Sequence, residues 1–455
     1  MNEHTPTVQQ RLPVVRIVAL CLGYFLILLD VTIVNVALPS MGQDLGLAGS
    51  RLAWVVDAYA IFLAALMLAA GAIGDKLGHR TIVIAGFVFF GLASIICAIA
   101  PTAAILIAAR ALQGIGAALC LPGTLALLTE MAPNEEAKSR LVGVWAAIGG
   151  AALPAGPLLG GILVSALGWR SVFWINVPLI AFAVIALLSG SSDRDADRSQ
   201  PVDWGGAALL TTAVATGIMA IIEATENGLV AAIAAVISIS AAIAFLAVER
   251  HTAHPLLPVP HAQRAALAWA AGVAGIMNLC AQGSLFVLTQ LIQTVHGKSP
   301  VIAGVIMLPA FLPLPLLGTP AGKLVDIIGA WRTSAIGLII GAAGFAITAA
   351  NPGSISTLLL IGLLLWGIGL GVLTPGIVSA AIQAVPGSSG VASGASNTAR
   401  QLGGAIGVAL FAAVAGSPQP QAFLGHMQWV LYAAATAFVI AAGISLKRAK
   451  QKQES

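Results

Sequence analysis

The feature that most constrains this chain is the recurrence, from one end to the other, of apolar runs near or above 18 residues. At about 1.5 Å of rise per residue, one such run crosses a hydrocarbon core of about 30 Å as a helix. A helix satisfies its own backbone donors and acceptors, which lipid cannot do. Only 8% of the 455 residues are charged, against about 25% in an ordinary soluble domain. The fold class expected is an all-α polytopic membrane protein. The fifty glycines fit this class, because small residues let membrane helices approach closely.

Polar or Pro/Gly breaks divide the chain into fourteen candidate spans: 14–38, 52–73, 81–100, 103–128, 141–166, 169–189, 204–223, 229–248, 265–295, 301–322, 332–350, 354–380, 391–415 and 428–446. The polar start leads into a first span with no small-residue cleavage site, so that span is expected to stay. An even number of spans puts both ends on one side, and positive charge marks that side as cytoplasmic. Seventeen of the 21 Lys and Arg, Arg400 among them, are assigned to the side of the N-terminus; Arg51, Arg170 and Lys298 fall on the other, and Arg110 falls within a span. The location expected is a bacterial-type inner membrane. The net charge of +4 reflects this asymmetry rather than nucleic-acid binding, and the basic tail from Lys447 to Lys452 suits anionic lipid.

An internal duplication shows in two loops. Gly71, Asp75, Gly78 and Arg80 are spaced 4, 3 and 2 apart; Gly322, Asp326, Gly329 and Arg332 are spaced 4, 3 and 3, with the two aspartates 251 residues apart. Two six-helix bundles follow, residues 1–189 and 265–446. Residues 190–264 hold two inserted central helices, and 447–455 form the tail. His251, His254 and His261 are loosely spaced among prolines, and no metal is expected. Cys21, Cys97, Cys120 and Cys280 lie in apolar runs without metal spacing.

One carboxylate, Asp30, is set in the apolar stretch 27–39. Such a charge near a bilayer centre costs about 2.5–3.5 kcal/mol on insertion scales, so it faces a cavity or a partner. Counted from the outer helix ends, Asp30 lies ~12 Å, Asp57 ~7 Å and Arg110 ~10 Å into the membrane. The three form a layer with one negative charge left over, which a proton or a cationic ligand neutralises. Arg110 can hold one aspartate ionised while the other takes up a proton; the sequence leaves open which. The structural alternative is an ion pair that merely locks spans 1, 2 and 4 together. Tyr24, Asn35, Trp54, Tyr59, Gln113, Asn278, Gln282, Gln290, Gln293, Trp366, Gln383 and Gln401, polar or aromatic residues within spans, are the cavity-lining candidates. Pro154, Gly156, Pro157, Gly160 and Gly161 predict a kinked, closely packed fifth span.

These motifs resemble the major facilitator superfamily, and within it the 14-helix drug:proton antiporter branch that includes quaternary-ammonium and methylenomycin exporters. Gly71-Ala-Ile-Gly-Asp75-Lys-Leu-Gly78-His-Arg80 is similar to the superfamily's loop after helix 2. Arg110-Ala-Leu-Gln113-Gly114-Ile-Gly116 is similar to its helix 4 motif, whose arginine the resemblance implicates in proton coupling. The stretch from Gly149 to Gly161 resembles the antiporter motif of helix 5. Residues 29–39 and 169–178 resemble signatures of the branch. The resemblance implies alternating access between two bundles, with Gly71, Asp75, Gly78 and Arg80 gating the inner face. The expected function is proton-driven efflux of a lipophilic small molecule, monovalent cationic or neutral, with no enzyme activity and no cofactor. The expected partners are small-molecule substrate, protons and the lipid bilayer, for a monomer and without nucleic acid. The second bundle has no embedded acid, which argues against divalent cations. The alternatives are a proton symporter that imports a metabolite and a non-transporting sensor.

Overall fold

A computed structural model describes residues 14–47, 50–189, 203–224, 227–252, 255, 259, 261–350, 354–385, 389–416 and 420–454. Most of the linker 190–202, together with His254, lies outside the described residues. Among the described residues there are α-helices and one π-helical turn, and no strand. The helices are α1 (Val14–Leu45), α2 (Ser50–Leu77), α3 (His79–Ile99), α4 (Ala103–Glu130), α5 (Glu135–Leu167), α6 (Ser171–Trp174), α7 (Asn176–Leu188), α8 (Trp204–Glu223), α9 (Gly228–His251), α10 (His261–Gln290), α11 (Pro300–Phe311), α12 (Pro313–Ile328), α13 (Ala330–Ala350), α14 (Thr357–Ala384), α15 (Ser389–Ala415) and α16 (Pro420–Glu454). Among the described residues, thirteen helical stretches are long and apolar enough to cross a membrane. The 28-residue α2 has the same apolar character, with the side chains of Leu68, Ala72 and Asp75 outside the described set.

The polar breaks read from the sequence are helix caps. Thr102, Asn134, Asp203, Asn227, Ser299 and Ser356 each accept from a backbone N–H of the first helical turn, which satisfies donors the helix leaves open. Two expected spans are interrupted. The sixth divides into α6 and α7, with Pro178 just inside α7. The tenth divides at Leu312 between α11 and α12, where Pro313 brings no N–H to the helical ladder. The ninth ends in a π-turn over Leu291–Val295. The basic tail continues α16, with the Arg448 guanidinium 4.9 Å from the ring centre of Trp269.

The packing is duplicated. In the first bundle α1 packs on α5, α2 on α4, and α3 on α4 and α7; in the second α10 packs on α15, α12 on α14, and α13 on α14 and α16. The bundles meet where α2 lies on α15 and α5 on α11, pairs that a two-fold exchange of the repeats interconverts. Close approaches repeat as well: a Cβ on Gly86 would sit 2.8 Å from the Gly116 carbonyl, and one on Gly337 would sit 2.7 Å from that of Gly369. Gly78 and Gly329, at φ 92° and 89°, occupy equivalent turns that disfavour any side chain. Both glycine pairs, Gly78 with Gly329 and Gly86 with Gly337, carry the 251-residue offset of Asp75 and Asp326. The hairpin α8–α9 rests on α2 and α15 through α8, and α9 turns Leu229, Val236, Ile239 and Ile243 outward.

Candidate functional site

The Asp30 carboxylate on α1 is paired with the Arg110 guanidinium on α4, and both side chains are fully buried. Arg110 also donates from Nε to the Val55 carbonyl at 2.9 Å and from a terminal nitrogen to Gln113 Oε1 at 2.8 Å. Its guanidinium lies 4.4 Å from the ring centre of Tyr59, whose hydroxyl donates to the Ile27 carbonyl at 3.1 Å. The chain of bonds continues from Gln113 Nε2 to Ser94 Oγ at 2.8 Å, and Asn176 Nδ2 reaches the same oxygen at 3.3 Å. Four helices, α1, α2, α4 and α7, with Ser94 of α3, thus converge on one charge pair. The network satisfies the pair only in part: Asp30 Oδ1 and the second terminal nitrogen of Arg110 are buried with no hydrogen-bond partner among the described residues, so the pair keeps part of its desolvation cost.

Asp57 stands apart. It is 0% exposed, and neither carboxylate oxygen has a hydrogen-bond partner among the described residues. The structure thus pairs Arg110 with Asp30 and resolves the single layer expected from the sequence into two places. Helix azimuth gives the reason. Val55, whose carbonyl meets Arg110, lies about 200° around α2 from Asp57. Equal depth does not put two side chains on one face.

Between the bundles lies a cavity of about 110 Å³, lined by α1, α4, α5, α10, α11, α12, α14 and α15. Of the candidates named from the sequence, Tyr24, Asn278, Gln282 and Gln401 line it. Asn35, Trp54, Tyr59, Gln113, Gln290, Gln293, Trp366 and Gln383 are not among its described lining residues. Asn35 donates to the Val31 carbonyl of its own helix, and Tyr59 and Gln113 belong to the Arg110 network. Gln290 accepts from Thr294, and Trp366 is packed between Phe311 and Phe345 inside the second bundle. Asn397 and Arg400, which the sequence did not single out, join the lining. Arg400, assigned from the sequence to the cytoplasmic side, is inside α15 and carries the only charge among the described lining residues.

The Gly/Pro motif of α5 is a two-sided seam. Toward α1, a Cβ on Gly149 would overlap the Tyr24 ring, one on Gly156 would overlap Thr32 Oγ1, and one on Gly160 would meet Ile33 at 2.9 Å. Toward α11, a Cβ on Gly161 would lie 2.6 Å from the Pro300 carbonyl, and one on Gly304 of α11 would overlap the Pro157 carbonyl. Only glycine permits these approaches. Pro154 lies between the two contacts on the same helix, partly buried. Tyr24, held against Gly149, stacks on Trp145 with ring centres 3.7 Å apart.

In the loop after α2, Arg80 donates to the Leu187 and Leu188 carbonyls at 3.0 Å each, and Arg16 reaches the Ser189 carbonyl at 3.3 Å. These cations cap the carbonyl end of α7 within the same bundle, where the helix dipole favours positive charge. Gly71 lies at ordinary distance from Pro122 of α4. The Asp75 side chain lies outside the described residues. At the opposite end of the bundle, Asp44 pairs with Arg170 at 2.7 Å and accepts from Trp169 Nε1 at 3.1 Å, while Arg170 also donates to the Ala100 carbonyl at 3.2 Å.

Comparison with known proteins places these features in a family. The chain is 32% identical over 408 residues to the multidrug resistance protein Stp of Mycobacterium tuberculosis, covering 89% of this chain and 76% of that one. It is 31% identical over 405 residues to the methylenomycin A resistance protein of Streptomyces coelicolor, covering 88% and 85%. Its fold matches the solved structure of a bacterial homologue of the human drug peptide transporters PepT1 and PepT2, with a TM-score of 0.69 over 96% of this chain and 98% of that one at 17% identity. The sequence profile of the Major Facilitator Superfamily matches residues 20–408, a range that includes the Asp30–Arg110 pair, the α5 seam and most of both repeats. The chain is a multi-pass membrane protein that belongs to the Major Facilitator Superfamily.

Proposed function

We propose that this protein exports small toxic organic molecules across a bacterial-type inner membrane in exchange for protons, with both termini in the cytoplasm. The names of the relatives support efflux. One observation carries the proton coupling: two fully buried aspartates of opposite circumstance, Asp30 paired with Arg110 and Asp57 with no partner for either oxygen. A carboxyl group buried without a partner is cheapest to hold as the neutral acid, so Asp57 stores a proton. Protonation of Asp30 removes the counter-charge of Arg110, which keeps its bonds to Val55 and Gln113. Asp30 then frees α1 from α4.

Release of α1 is transmitted because α1 also bears Tyr24, Leu28, Val31 and Thr32 of the cavity wall and packs on the glycine face of α5. At about 110 Å³, the cavity is below the ~300 Å³ at the lower end for drug-sized ligands, so a substrate enters when the bundles part. One chain encloses the whole cavity, and a monomer suffices.

The test uses everted vesicles loaded with a pH-sensitive dye. Addition of a transported compound releases protons from the wild-type vesicles, and Asp30→Asn and Asp57→Asn each abolish the signal. Retention of the full signal by both single variants would remove the coupling mechanism.

A further inference from the structure

The charge that faces the space between the bundles comes from one side chain. Arg400 is the only charged residue in the cavity lining among the described residues, and none of them places a carboxylate there. Its Nε is buried without a hydrogen-bond partner among the described residues. The embedded acids are elsewhere: Asp30 is committed to Arg110, and Asp57 is buried on α2 outside the lining. After residue 250 the only acids in the sequence are Asp326 and Glu454, at the ends of α12 and α16. The second bundle therefore supplies no carboxylate at the depth of Arg400.

A guanidinium stays protonated and offers five donors in a planar fork that matches paired oxygens. Partly buried in a wall with no carboxylate among the described residues, with its Nε unpaired, it carries an uncompensated desolvation cost, and a ligand that brings negative charge recovers that cost. Tyr24, Asn278, Gln282, Asn397 and Gln401 surround the same space with hydroxyl and amide groups that serve a polar head. Leu28, Val31, Leu121, Leu153 and Phe311 provide an apolar remainder. An organic ammonium ion would meet like charge and find no acid in this wall.

We propose that the cavity selects organic anions, meaning lipophilic molecules with a carboxylate or comparable oxyanion that Arg400 binds directly, over organic ammonium ions of the same shape. This rests on the exporter reading and narrows it to a substrate class. It also revises the charge reckoning made from the sequence, which counted Arg110 as the one embedded cation.

The test compares 1-naphthylacetate, 1-naphthylethanol and 1-naphthylethylammonium with the full-length protein in detergent, by equilibrium dialysis. Wild type is expected to bind the anion at least tenfold more tightly than the ammonium ion. Arg400→Gln should erase that preference, and Arg400→Lys should keep part of it, with an unchanged gel-filtration profile as the check on folding. Tighter binding of the ammonium ion, no anion binding at millimolar probe, or an unchanged preference in Arg400→Gln overturns the proposal. Proton movement in proteoliposomes with the same three probes separates it from the exporter reading. Anion binding without proton movement defeats the exporter reading alone, whereas proton movement driven by the ammonium ion in preference to the anion defeats the anion proposal alone.

Discussion

The two buried aspartates should behave oppositely when neutralised. Asp30→Asn keeps the shape of the side chain but strips Arg110 of its counter-charge in a site where both partners are fully buried. Breaking a buried pair from one side costs about 3–5 kcal/mol. Arg110 retains Val55, Gln113 and the Tyr59 ring, which places the cost near about 3 kcal/mol, or about a hundredfold in the unfolding equilibrium. Asp57→Asn removes no hydrogen bond among the described residues and should stay within about 1 kcal/mol of wild type, since none of the mechanisms behind larger losses applies. The double variant Asp30→Asn/Arg110→Gln should regain most of the loss, because both charges leave together. Equilibrium unfolding in mixed detergent, followed by tryptophan fluorescence, measures all four proteins. Equal losses for the two aspartates, or additive losses in the double variant, would refute the assignment of Arg110 to Asp30.

Three further predictions concern backbone and surface. Gly156→Ala places a methyl group on Thr32 and 3.0 Å from the Ile33 backbone nitrogen; it should cost about 1–3 kcal/mol by overpacking and slow efflux, and Gly156→Ala/Thr32→Ala should relieve part of both in the same assays. Gly78→Ala and Gly329→Ala impose a side chain at φ 92° and 89° and should each lose about 1–3 kcal/mol, equal within error if the repeats are equivalent, by thermal unfolding. Asp44→Asn removes an ion pair whose side chains are 47% and 40% exposed; its effect should be small and fade with added salt, checked by unfolding at low and high ionic strength.

The spans, their number and the duplication were legible in the sequence because hydropathy and loop spacing are one-dimensional signals. Asp30 and Arg110 stood out for the same reason, as charges inside apolar runs. Their pairing was not legible, since it depends on the rotation of each helix against its neighbours, and Asp57 at similar depth faces another way. Arg400 was misplaced in the charge tally rather than in the hydropathy: the span 391–415 contains it, yet it was counted with the cytoplasmic cations, in the polar opening of the least apolar of the candidate spans. Gln290 and Trp366 carry groups that suit a cavity, yet one bonds locally and the other fills a core. What could have exposed Arg400 is the acid count, since a cation in a bundle with no embedded carboxylate has no structural partner there.

The charges inside the membrane tie substrate class to energetics. Each charge moved across the membrane is worth ~2.3 kcal/mol per 100 mV. A proton entering as a monovalent cation leaves transfers no net charge, and exchange for a neutral molecule transfers one. Exchange of one proton for one organic monoanion transfers two, worth ~4.6 kcal/mol per 100 mV. Selection of anions by Arg400 thus aligns the substrate with the membrane potential as well as with the proton gradient. One-for-one exchange of a proton for a monovalent cation draws only on the proton concentration gradient. An anion held by the one arginine on α15 adds the membrane potential to the drive, and α1, which joins the ion pair to the cavity wall, is the element through which the two are coupled.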